Sequence, residues 1–345
     1  MDSTCAKKLR RTVLLLDGSY GLELKRRKAE GMDVAYNLTL FSTAALRDTP
    51  EAVKQLHQDY IKAGAQVITT ASYAVTKFYL DKIGEGHRVA ELCARSMQLA
   101  RDAIAAEQAG GRVMIAACVP PLGESYQTTP LTEVEMRAQY AEVLQGLRGA
   151  DIYLCETFAS VSEARLAAAM CREGASNNTR IWVSFTPRRD IQRGGCHLAD
   201  GSTIEEAVAA VGSMDGLEAV LFNCATPELI QLAISESVNA SEKLNLVSRL
   251  RIGGYANFWE EVDLEGWSID KQESETGKSD QKSGGMIVRK DLTDEEYAHK
   301  AITWIQTGAS IVGGCCGIGP STIARISRDA NIGNHEVLRE DPSAK

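Results

Sequence analysis

Short apolar runs rich in β-formers alternate with amphipathic stretches along almost the whole chain, and that rhythm leaves few folds open. Eight runs read as buried parallel strands, at 13–16, 67–70, 113–119, 152–154, 181–185, 219–222, 251–254 and 310–312. Helical patterns lie between them. Thr49 and Pro50 stand as N-cap and first residue of a helix over 50–63, and 89–109 is long and amphipathic. Thr132 and Glu135 form a capping box at the head of 132–147. The stretches 160–172, 203–211, 227–237, 293–307 and 320–329 repeat the pattern. Eight strand–helix units in 345 residues predict the α/β class, a (β/α)8 TIM-type barrel as a single domain over 12–332, flanked by tails 1–11 and 333–345. A doubly wound open sheet is the alternative. It is weakened because Asp17-Gly18-Ser19-Tyr20-Gly21 stands where a Gly-x-Gly-x-x-Gly turn would follow the first strand.

One segment breaks the rhythm. Residues 262–290 are polar, and 271–285 hold almost no apolar residue. They fall between the seventh and eighth strands, on the face where barrel active sites form. The segment reads as a surface insertion, with a mobile lid as the functional alternative.

Charge narrows the partners. A net charge of −8 argues against a nucleic-acid surface, and the basic clusters at 7–11 and 25–28 are short enough to be solvated helix or tail charge. No run is long enough to span a membrane, and the first apolar run is too short for a signal segment, so the expected location is the cytoplasm. Nine cysteines at irregular spacing fit free thiols and metal ligands better than a disulfide framework.

Two of those cysteines are adjacent, in Gly313-Gly314-Cys315-Cys316-Gly317. A disulfide between neighbours would close a strained small ring. Successive side chains of a strand point to opposite faces, so both sulfurs reach one ion only if the backbone turns there, and Gly317 permits the turn. Two thiolates are too few for zinc. Cys224, in Leu221-Phe222-Asn223-Cys224-Ala225, is the best third ligand. Three cysteines fall short of the four protein ligands of a structural zinc site and leave a position open. Sulfur-rich zinc suits a soft thiol substrate, held as thiolate near neutral pH. Asn223 is a candidate oxygen ligand when no thiol is bound. Cys5, Cys93, Cys118, Cys155, Cys171 and Cys196 read as ordinary thiols.

Other polar residues end the strands on the same face: Asp17-Gly18, Thr69 to Tyr73, Glu156-Thr157 and Tyr255 to Asn257. Asp17 and Glu156 together suit an ammonium clamp. Backbone N–H groups from Gly18 to Gly21 could take a carboxylate. A small thiol with an α-amino group is homocysteine or a relative. Paired carboxylates also occur in glycoside hydrolases, but that reading leaves the cysteines unexplained.

Taken together these residues resemble the homocysteine S-methyltransferase family, which includes zinc-dependent enzymes using S-methylmethionine, S-adenosylmethionine or betaine. The resemblance spans roughly 14–326. It rests on Leu16-Asp17-Gly18 with Gly21-Leu22-Glu23-Leu24, His57-x-x-Tyr60 with Ala63-Gly64-Ala65, and Thr69-Thr70-Ala71-Ser72-Tyr73. Glu156-Thr157-Phe158, Asn223-Cys224, Tyr255-x-Asn257, Trp304 and the Gly-Gly-Cys-Cys-Gly run complete it. It implies a barrel with Zn2+ on Cys224, Cys315 and Cys316, homocysteine held near Asp17, Gly18, Glu156 and Asn223, and Tyr73 near the donor. It implies methyl transfer from a sulfonium donor to the homocysteine thiolate, giving methionine, in a monomer or small homo-oligomer. Betaine or selenocysteine methyltransferase, or a non-catalytic zinc- or thiol-binding barrel, are the alternatives. Three places depart from the family pattern. Leu38 to Ser42 replaces Pro-Leu-Trp-Ser, Asn257-Phe258-Trp259-Glu260 replaces Asn-x-Gly-Glu, and Gly317 stands where Arg is common. Phe258 and Trp259 could stack on a sulfonium or pack under the insertion.

Overall fold

The computed structural model describes residues 12–332 apart from 177, 191–193, 262–281 and 284–285. Eight parallel strands carry the fold: β1 Leu14–Leu15, β2 Val67–Thr69, β3 Met114–Val119, β4 Ile152–Phe158, β5 Arg180–Phe185, β6 Leu217–Asn223, β7 Arg251–Ala256 and β8 Ile311–Gly314. Each pairs with its sequence neighbour, and β8 pairs back onto β1 through Leu14↔Ile311 and Leu15↔Val312. A Leu16↔Val67 bridge joins β1 to β2 and closes the ring. The predicted α/β barrel is therefore the observed one. Short antiparallel pairings decorate it, including Arg188–Asp190 with Gly195–His197 after β5.

Side-chain alternation separates two cores. Leu14, Leu16, Val67, Ala116, Leu154, Trp182, Leu221 and Ile311 fill the barrel interior, while Leu15, Tyr153, Val183, Phe222 and Val312 face the helical layer. That layer includes α1 Gly21–Ala29, α2 Ser42–Asp48, α3 Pro50–Lys62, α4 Lys77–Leu80, α5 Val89–Ala106, α6 Glu133–Gly146 and α7 Val161–Gly174. It continues with α8 Ile204–Gly212, α9 Pro227–Lys243, α10 Asp294–Thr307 and α11 Pro320–Asp329. Among the described residues, no helix is long and apolar enough to cross a membrane.

The capping box at Thr132 and Glu135 is present, and Thr203 with Glu206 forms a second. Thr49 is the N-cap residue of α3 and Pro50 its first residue, as expected, but the Thr49 hydroxyl accepts a hydrogen bond from Ala35 N–H at 3.0 Å and makes no capping bond to α3. The helix at 89 ends at Ala106, and the one at 227 runs on to Lys243. The insertion and lid readings fall almost wholly on 262–281 and 284–285, outside the described residues, as do the tails 1–11 and 333–345. At the insertion's far end, Val288 forms an antiparallel bridge with Trp259.

Candidate active site

Tight packing brings β8 to its cysteines. A Cβ on Gly313 would lie 2.5 Å from Leu16 Cβ, and one on Gly314 would lie 2.3 Å from Ile318 Cγ2, so no side chain fits at either. The strand then turns. Gly317 has φ +83°, and Ile318 N–H donates to Cys315 carbonyl oxygen at 3.0 Å. Beyond β6, Cys224 adopts φ +57°, which a non-glycine residue holds only under strain. The three Sγ atoms lie within 4.8 Å of one another, and those of Cys224 and Cys316 are 3.6 Å apart. The ligand set expected from sequence is thus brought together.

Strain gathers around this trio. Four of the seven non-glycine residues with positive φ among the described residues are Phe41, Tyr126, Thr157 and Cys224, and three of these line the cavity above the thiols. Tyr126 hydroxyl donates to Cys224 Sγ at 3.0 Å. Hydrogen bonds from Cys315 and then Cys316, with Tyr126 and Asn257 adding to them, hold Cys224 well below the ordinary thiol range despite its burial. The same sharing pushes Cys315 and Cys316 up. The arrangement favours the thiolate form at Cys224 over its two neighbours.

Asn223 does not present its oxygen to the thiols. Its Oδ1 accepts from Ser184 hydroxyl at 2.7 Å, while Nδ2 donates to Thr157 Oγ1 at 2.7 Å and faces Cys315 Sγ at 3.8 Å. The oxygen-ligand expectation is corrected by that pairing: the side chain offers the centre a donor.

Asp17 and Glu156 both line the cavity. Asp17 accepts from Thr69 N–H at 2.6 Å, Thr69 Oγ1 at 3.0 Å and Tyr20 hydroxyl at 2.7 Å. Burial outweighs these bonds and raises its pKa to about 7. Glu156 accepts from Tyr255 hydroxyl at 2.8 Å and from Cys118 Sγ at 3.2 Å, and burial raises it as well. Gly18 is required by close approach, since a Cβ there would sit 2.2 Å from Ile318 carbonyl oxygen. In the turn that follows, Ser19 N–H is taken by that same oxygen at 2.8 Å, so the carboxylate cradle is narrower than the sequence suggested. Tyr73 lines the cavity, with its hydroxyl 2.7 Å from Ser125 Oγ.

The sequence reading missed Tyr126, Ser184 and the contact of Cys118 with Glu156. Tyr126 follows a Pro-Pro-Leu-Gly loop after β3, on the face where the other site residues gather; that position was its only signal. Cys155, read as an isolated thiol, lies 3.8 Å from Cys171 behind β4, away from the cavity.

Fold and site define a barrel enzyme with a three-thiol centre at the C-terminal mouth of its strands. The chain belongs to the homocysteine S-methyltransferase family, whose sequence profile matches residues 14–330. It is 28% identical to the homocysteine S-methyltransferase of Escherichia coli (strain K12) over 91% of this chain and 94% of that one. It is 27% identical to the selenocysteine methyltransferase of Astragalus bisulcatus over 92% of this chain and 93% of the relative. The crystal structure of the homocysteine methyltransferase MmuM from Escherichia coli in its metallated form matches with a TM-score of 0.69 and 25% identity, covering 93% of this chain and 97% of that one.

Proposed function

We propose that this protein moves a methyl group from a sulfonium donor, S-methylmethionine or S-adenosylmethionine, to the thiolate of homocysteine, with zinc on Cys224, Cys315 and Cys316. The observation that carries this reading is the chemistry of the cavity wall. Its described lining holds three thiols, two carboxylates and several aromatic rings, and no Lys, Arg or His. Such a cavity favours cations, and both proposed ligands bring one: the ammonium of homocysteine and the sulfonium of the donor.

The thiols fit the ion. Two sulfurs about 2.3 Å from one tetrahedral zinc stand roughly 4 Å apart, and Cys224 and Cys316 are at 3.6 Å already. Zinc held there would supply a Lewis-acidic open position that favours the thiolate form of a bound thiol at neutral pH. The protein's own groups do the rest. Asp17 and Glu156 receive the substrate ammonium, and N–H groups of the Gly18-to-Gly21 turn other than that of Ser19 take its carboxylate. Asn223 and Tyr126 donate hydrogen bonds toward Cys315 and Cys224 and so spread the negative charge of the centre. Tyr73 stands on the donor side. In the transfer, a new S–CH3 bond forms as the donor S–CH3 bond breaks. The electron pair returns to the donor sulfur, which leaves as a neutral thioether, so no general acid is needed. Alignment of the two sulfurs and desolvation of the nucleophile are the enzyme's contribution. We propose further that residues 12–332 form one domain.

Methionine formation is the test, with homocysteine and S-methylmethionine, S-adenosylmethionine or betaine side by side, and selenocysteine as a second acceptor. Turnover with a sulfonium is expected. Cys224→Ala should lower bound metal from near one per chain to near zero and abolish turnover together. Metal bound at near one per chain without turnover from any donor would leave a thiol-binding barrel instead.

A further inference from the structure

The loop after β7 brings two adjacent aromatic rings to the thiol trio. It is tied to that trio directly. Phe258 N–H donates to Cys316 carbonyl oxygen at 3.2 Å, and Trp259 N–H donates to Asn257 Oδ1 at 3.2 Å. Asn257 in turn hydrogen-bonds Cys224. The Phe258 ring occupies the side-chain space of residue 317: a Cβ on Gly317 would lie 1.8 Å from Phe258 Cδ1. The glycine at 317, a departure from the family pattern, and the phenylalanine at 258, beside the departing Trp259, are therefore one steric solution. The rings of Phe258 and Trp259 stand 4.4 Å apart at 40°. Trp259 is 4% exposed, packs in a cluster with Tyr126 and Cys224, and lines the cavity.

Position gives this ring a task. The donor must bring its methyl in line with the substrate sulfur, and that sulfur must lie at the thiol centre. The donor's charged sulfur then comes close to the thiols, and in the apolar cluster that holds Cys224 the buried aromatic residues are Tyr126 and Trp259, with Phe258 packed against them and Tyr73 elsewhere on the cavity wall. An indole face attracts a cation and is the strongest of the aromatic side chains in this respect. It holds the sulfonium and has no such hold on the neutral thioether that leaves.

We infer that Trp259 is a specificity-determining residue for the donor, its indole face holding the sulfonium while Phe258, seated over Gly317, fixes the ring in place. The inference rests on the methyl-transfer reading and names the donor side of that same site. Because the ring favours the donor's charge before transfer more than the partly neutralised transition state, its loss acts on donor KM more than on kcat.

The experiment is steady-state kinetics of wild type, Trp259→Phe and Trp259→Leu, with metal content measured on each as a check of the intact centre. Homoleucine, the neutral isostere of S-methylmethionine, serves as inhibitor at saturating homocysteine. Trp259→Leu is expected to raise KM for S-methylmethionine about tenfold. Its kcat, the KM for homocysteine and the inhibition constant of homoleucine should stay within about twofold of wild type. Trp259→Phe should recover most of the loss. An unchanged donor KM, equal weakening of donor and homoleucine, or a rise in homocysteine KM instead would each overturn the inference and leave the methyl-transfer reading standing. Absence of turnover by wild type with any sulfonium would bring down that reading and this inference with it.

Discussion

In the proposed clamp, Asp17 would hold a cation from a site that disfavours its own charge. Its carboxylate is buried, and burial rather than the neighbouring Glu156 is the larger cause of a pKa near 7. The sign is direct. Below that pH Asp17 is protonated and offers an ammonium no charge; above it the carboxylate forms and the clamp is complete. Homocysteine KM should therefore rise as pH falls from 8 to 6, by about tenfold if Asp17 is ionised in roughly one molecule in ten at the acid end. In Asp17→Asn that inflection should vanish and KM should stay high at every pH. An inflection that survives the substitution would assign the titration to another group. The structure also explains why Asp17 could be found in sequence although its surroundings could not. An acid after an apolar strand is visible in the chain, whereas Thr69 reaches it and the Ile318 carbonyl reaches its neighbour Ser19 from distant positions.

Elements follow the same division. The strands were legible because each is an apolar run long enough to cross the barrel wall, and the cysteines because two thiols among glycines have few other uses. The capping box at Thr132 was local and held; Thr49 is the N-cap as read, but its hydroxyl answers to Ala35, 14 residues away, and not to the helix. The Asn223 oxygen is turned to Ser184 on the neighbouring strand and not to the thiols for a similar reason, a long-range partner. The turn after β8 shows this coupling most sharply. Gly317 is read locally as a residue that permits positive φ, but the space beside it is filled from β7's loop by Phe258. Gly317→Ala adds a Cβ in a conformation that L-residues disfavour and into an occupied volume, and should cost about 2–3 kcal/mol in a denaturation experiment. Phe258→Ala in the same chain should recover the steric part, so that the double-mutant cycle returns a coupling of about 1 kcal/mol or more. Additivity within error would mean that backbone strain alone sets the cost.

At the scale of the molecule, the thiol centre with the proposed metal bound would also be a staple. Cys224 follows β6 and Cys315 and Cys316 follow β8, so an ion on all three would tie two strands that flank β7, at positions some 90 residues apart in sequence. At the cavity mouth, residues of positive φ meet over the buried carboxyls of Asp17 and Glu156. An ion that binds the folded chain and not the unfolded one stabilises by mass action, about 4 kcal/mol when its free concentration is a thousand times Kd. For a domain of this size that corresponds to about 5 °C or more in Tm. Stripping metal with a chelator should lower Tm by that amount, and returning zinc should restore it. Homocysteine added to the zinc-loaded protein should raise Tm further and release a proton to the buffer, because the thiol is taken as thiolate. Cys224→Ala should start near the chelated value and respond to neither chelator nor zinc, since the remaining pair lacks the β6 anchor. A Tm that ignores the chelator in wild type while methyl transfer is lost would separate the two roles. The ion would then serve the chemistry without bracing the strands, and the mouth of the barrel would owe its shape to the packing of Phe258, Trp259 and Ile318 alone.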